Sequence, residues 1–65
     1  MDRKTIGLNL AKIRQSKNIS AYQLSRKIGH AHNYVNAFEN GKSNITLDAL
    51  LAICEELEIN PKELF

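Results

Sequence analysis

The chain has 65 residues, a net charge of +2 and 25% charged side chains. That allows one small domain over residues 1–65, which buries only about 60% of its unfolded surface and is marginally stable. The single cysteine, Cys54, excludes an internal disulfide framework. No run approaches the roughly 18 apolar residues of a membrane span, and the opening MDRKTIGLNL is too short and polar for a secretion signal. The expectation is a soluble, cytoplasmic protein without disulfides. The small net charge hides an asymmetry. Residues 1–45 hold eight basic and two acidic side chains, +6, whereas residues 46–65 hold one basic and five acidic, −4. A basic half of this kind suits a polyanionic partner, although solvated charge alone would look the same.

Taken in chain order, the apolar residues describe short helices. Ile6, Leu10 and Ile13 fall at i, i+4 and i+7, one helical face. Asn18, which tolerates the left-handed conformation, ends that helix. Ser20 caps the next, with Gln23 three residues on completing a capping box. Its inner stripe is Ala21, Leu24, Ser25 and Ile28, and Gly29 breaks it. A third helix over about 31–40 turns Ala31, Val35 and Phe38 inward and stops at Gly41. Thr46 caps a fourth, with the stripe Leu47, Leu50, Leu51, Cys54 and Leu57. Asn60, Pro61 and Glu63 form N-cap, first position and capping-box partner of a last short helix. Nothing alternates with period two for long enough to make a strand. The fold class expected is all-α, a compact five-helix domain that buries Ile13, Leu24, Ile28, Val35, Phe38, Leu50 and Leu51 together.

The second and third helices, joined by a turn containing glycine, have the form of a helix-turn-helix at about residues 20–40. Ser25 is small where the two helices must cross, and Gly29 lets the chain reverse. By itself this is a weak signal. A longer one runs through Ile6-Gly7, Leu10, Ile13-Arg14, Ile19-Ser20, Leu24-Ser25, Gly29, Val35, Phe38-Glu39, Gly41-Lys42, Leu47, Leu50-Leu51, Ile53-Cys54 and the closing NPKELF. Over residues 6–65, without a gap, this resembles the phage-repressor family of lambda repressor, 434 repressor and Cro, also called XRE-type.

The resemblance implies a lambda-repressor-like fold whose third helix is the recognition helix, lying in the major groove of double-stranded DNA. It implies a structural ion pair, Arg14 with Glu39, between the first and third helices. It places phosphate contacts at the start of helix two (Ser20, Tyr22, Gln23) and in the turn after helix three (Asn40, Lys42, Ser43, with Asn44 beside them). The chain also departs from the family. Ala21 stands where a phosphate-touching Gln is usual, Ala31 where a Ser or Thr caps the recognition helix, and His30 where Val is common. Glu58 replaces a helix-ending Gly, and Leu8 replaces a polar residue.

With Val35 and Phe38 turned inward, about 100° per residue turns His32, Asn33, Asn36 and Asn40 outward, with Ala37 at the edge. The third helix carries no Lys or Arg. Asn can bond adenine N6 and N7 together, Arg is the usual reader of guanine, and Ala can touch a thymine methyl. Composition alone favours a merely solvated polar face, but the resemblance places His32, Asn33, Asn36 and Ala37 at base-reading positions, so they are the expected readers of a site containing A·T pairs. Arg26 and Lys42, with Lys27, are the cations expected to neutralise phosphate, which supplies affinity independent of sequence.

Other chemistry is thin. His30, His32 and Cys54 lack zinc spacing, and Cys54 sits in an apolar stripe as a small core residue. No phosphate-binding glycine loop or paired-carboxylate site is present. No enzyme, metal, cofactor or small-molecule ligand is expected. The leading expectation is a sequence-specific DNA-binding transcriptional regulator, a repressor acting as a homodimer on a two-fold operator. Its expected dimer surface is Leu8, Glu58, Ile59 and Phe65. The rival is a protein-interaction module, such as an antitoxin or adaptor, that keeps the fold but has lost DNA binding.

Overall fold

A computed structural model describes residues 2–65. Its elements in order are α1 (Arg3–Ser16), α2 (Ala21–Lys27), α3 (Tyr34–Glu39), α4 (Leu47–Leu57) and a closing 3₁₀ turn (Pro61–Leu64). No strand occurs among the described residues. The predicted fifth helix is thus a single 3₁₀ turn. The predicted caps are in place: Ser20 with Gln23, Thr46, and Asn60 with Glu63 each satisfy N–H groups at a helix start. Asp2 caps α1 by accepting the Thr5 N–H at 2.8 Å.

All four α-helices end with the same device. Asn18, Gly29, Gly41 and Glu58 adopt positive φ (59°, 80°, 74° and 57°). The N–H of the next residue, Ile19, His30, Lys42 or Ile59, then donates to a carbonyl five residues back, at Arg14, Ser25, Ala37 or Cys54. This is the Schellman closure, which satisfies carbonyls that a helix end leaves open.

The core is Leu10, Leu24, Val35, Phe38, Leu50, Ile53, Cys54, Leu57 and Leu64, all buried. Ile13 and Ile28, expected inside, are half-buried at its edge. Leu51 and Leu47, also expected inside, are 47% and 69% exposed. On α4 the buried set is Ala49, Leu50, Ile53, Cys54 and Leu57, the spacing i, i+1, i+4, i+5, i+8. The true inner face is therefore rotated away from the two leucines.

α3 packs against both α1 and α2. Gly7 makes the crossing with α1 possible. A Cβ there would meet the Phe38 carbonyl oxygen at 2.7 Å and Glu39 Cα at 3.0 Å. Only a hydrogen fits between the two backbones.

Candidate nucleic-acid interface

Helix three begins later than its sequence suggests. Residues 31–33 form a turn, Ala31 is exposed, and the first helical residue is Tyr34. No side chain of the turn caps it. The missing cap comes from another helix instead. Ser25 Oγ, on α2 and fully buried, accepts the Val35 N–H at 3.0 Å and donates to the Ala21 carbonyl at 2.8 Å. One hydroxyl thereby fixes the start of α3 against α2.

The far end of α3 is held from α1. Arg14 Nε donates to Glu39 Oε2 at 2.7 Å and Nη2 to Oε1 at 2.9 Å, while Nη1 donates to the Ile19 carbonyl at 2.8 Å. The side chains are 12% and 5% exposed. The bonds to Glu39 raise the Arg14 pKa above its usual value, against the opposing effect of burial. The predicted pair is therefore a bidentate, partly buried clamp.

Between these anchors the outward face is open. His32, Asn33, Asn36 and Asn40 are exposed and Ala37 is half-buried. Only Asn36 and Ala37 belong to the helix itself; His32 and Asn33 lie in the turn that feeds it. Asn40 Nδ2 donates to Asn36 Oδ1 at 3.3 Å, a weak tie along the face. The Tyr22 and His32 rings, 5.9 Å apart and tilted by 34°, join the start of α2 to that turn. His30 instead stacks on Tyr34 at 3.9 Å, and Tyr34 turns its hydroxyl to the Thr46 N–H, 3.5 Å away. Tyr34 thus links α3 to the start of α4.

Donors flank the face on both sides. In the capping box, Ser20 Oγ takes the Gln23 N–H and Gln23 Oε1 takes the Ser20 N–H, each at 3.0 Å. The Ser20 hydroxyl proton and the Gln23 NH₂ group keep donating capacity. Tyr22, Arg26, Asn40 and Lys42 are exposed, and Ser43 is half-buried. Among the described residues, Arg26 and Lys42 have no carboxylate partner, whereas Lys27 lies 3.7 Å from Glu56. Lys27 is thereby partly neutralised.

Two features escaped sequence reasoning. Arg3 Nη1 donates to Asn44 Oδ1, and the Lys4 side chain lies over Gly41, where a Cβ would be 3.5 Å from Lys4 Cγ. Contacts this distant in sequence leave no local pattern. The expected dimer surface is only partly apolar and free: Leu8 and Phe65 are 52% and 58% exposed, Glu58 is exposed, and Ile59 packs against the core. Cys54 is buried, which pushes its thiol pKa up and keeps it protonated. No group of three His, Cys, Asp or Glu among the described residues is placed to hold a metal. No helix among them is long and apolar enough to cross a membrane.

Comparison with known proteins matches this arrangement. The family described as helix-turn-helix covers residues 10–64. An uncharacterized HTH-type transcriptional regulator, y4dJ of Sinorhizobium fredii, is 27% identical over 62 residues, which is 95% of this chain and 80% of that protein. The crystal structure of the restriction-modification controller protein C.AhdI from Aeromonas hydrophila superposes with a TM-score of 0.91 at 33% identity, over 98% of this chain and 97% of that one. A hypothetical transcription factor from Neisseria, NHTF, gives 0.87 at 27% identity, over 95% and 71%. With its recognition helix braced by Ser25 on one side and Arg14 on the other, the chain belongs to the XRE-type helix-turn-helix family.

Proposed function

We propose that this DNA-binding transcriptional regulator reads its operator with Asn36, Asn33, His32 and Ala37 and holds it through phosphate contacts from Ser20, Tyr22, Gln23, Arg26, Asn40, Lys42 and Ser43. The observation that carries the reading is the open amide face formed by Asn36 on α3 with Asn33 and Asn40 at its two ends, braced from α2 and α1 and flanked by free donors. Amides at base edges favour adenine, so the operator contains A·T pairs. Two-fold sites and two copies of the protein go together in this family; the exposed apolar side chains Leu8, Phe65, Leu47 and Leu51 are available for pairing. The proposed mode is repression, by occupancy of an operator that overlaps a promoter. The protein acts where DNA is, in the cytoplasm.

Selection of bound duplexes from a random pool tests this reading, followed by two variants. Lys42→Ala is expected to weaken binding to all sequences alike and to flatten the log–log salt slope by about 0.9. Asn36→Ala is expected to relax preference at one or two base pairs by roughly 1–3 kcal/mol each, with the slope unchanged. Failure of the wild type to bind any duplex in a salt-dependent way overturns the reading in favour of a protein-interaction module.

A further inference from the structure

We propose that the first turn of α1 belongs to the DNA interface, with Arg3 neutralising a backbone phosphate beside Lys42 and Asn44 acting as its positioning residue. The assignment rests on the DNA-binding reading and adds a helix to it. The fold makes the juxtaposition. Gly7 lets α1 touch the α3 backbone at Phe38 and Glu39, which carries the preceding turn of α1 to the loop that leaves α3. There Arg3 bonds Asn44 and the Lys4 stem covers Gly41. Three cations, Arg3, Lys4 and Lys42, are thus gathered around the segment 41–44.

The charge at this site is uncompensated. The ion pairs among the described residues are Arg14–Glu39 and Lys27–Glu56, and neither involves these cations. The nearest carboxylate in sequence, Asp2, is turned back onto the Thr5 N–H at 2.8 Å. Asn44 is neutral, so it orients the guanidinium without discharging it. One acceptor occupies one of the five N–H donors of Arg, and the rest can fork onto phosphate oxygens. Burial does not account for the bond, because Arg3 and Asn44 are both exposed.

The test measures the salt dependence of full-chain binding to a random-sequence duplex by fluorescence anisotropy, with thermal melts of each variant. Arg3→Ala is expected to reduce the magnitude of the log–log slope by about 0.9, the share of one phosphate contact, whereas Arg3→Lys keeps it. Asn44→Asp, which pairs with Arg3 and withdraws its charge, is expected to flatten the slope at least as much as Arg3→Ala. Asn44→Ala is expected to weaken binding a few-fold at an unchanged slope. Wild-type slopes for both Arg3→Ala and Asn44→Asp overturn the assignment while leaving the DNA-binding reading intact. A wild type with no salt-dependent binding overturns both.

Discussion

The orientation of the recognition helix comes down to a few side chains. Ser25 is one: its single hydroxyl is at once a donor to its own helix and the acceptor for the first buried N–H of α3. The Arg14–Glu39 clamp is the other. Taking such a pair out of water costs energy that its bonds repay only while both partners remain. Arg14→Met alone and Glu39→Leu alone are each expected to cost about 3–5 kcal/mol, because each strands a poorly solvated charge. The double variant is expected to cost clearly less than the sum. Chemical denaturation of the three variants closes the cycle; additive losses would show that the pair does not cooperate.

At the scale of elements, three helix starts are written plainly in the sequence. Ser20 with Gln23, Thr46, and Asn60 with Pro61 and Glu63 are local signals, and each governs the backbone beside it. The start of α3 was not legible, because its cap sits ten residues away on another helix. The inner face of α4 was misread for a related reason. Five leucine-class positions form a stripe too broad for one interface, and only packing decides which side goes in: Ala49 and Ile53 do, Leu47 and Leu51 do not. Glu58 shows where sequence and structure pull against each other. It takes the left-handed conformation at φ 57°, which the other α-helices give to Asn or Gly. That conformation costs a side chain of this kind roughly 1–2 kcal/mol. Glu58→Gly is therefore expected to raise the melting temperature, by several degrees for a domain this small. An unchanged or lower midpoint would mean that the extra chain entropy of glycine offsets the relief.

For the whole molecule, the charge asymmetry acquires a direction. The basic residues 1–45 include every group assigned to DNA, whereas Asp48, Glu55, Glu56, Glu58 and Glu63 follow in the acidic segment, which phosphate repels. If two copies pair on DNA, an interface built from residues 46–65 would keep clear of the groups proposed to contact phosphate. Alongside Glu58, Ile59 and Phe65, that segment carries a second candidate surface. Leu47 and Leu51, one helical turn apart, form an exposed apolar pair on one helix. The domain measures 27 × 23 × 21 Å, and half-sites one helical turn apart are separated by about 34 Å. Copies docked on such half-sites would therefore meet over a small face only. A small face gives weak association in free solution, which DNA strengthens by holding both copies together. Leu51→Glu is accordingly expected to leave the thermal melt and the affinity for a single half-site near wild type, and to lower affinity for the two-fold site by about a hundredfold. Phe65→Glu serves as the parallel measurement. If it alone breaks binding to the two-fold site, the pairing face is the carboxyl-terminal one first expected. If the wild type binds the two-fold site no more tightly than a half-site, the protein does not act as a dimer.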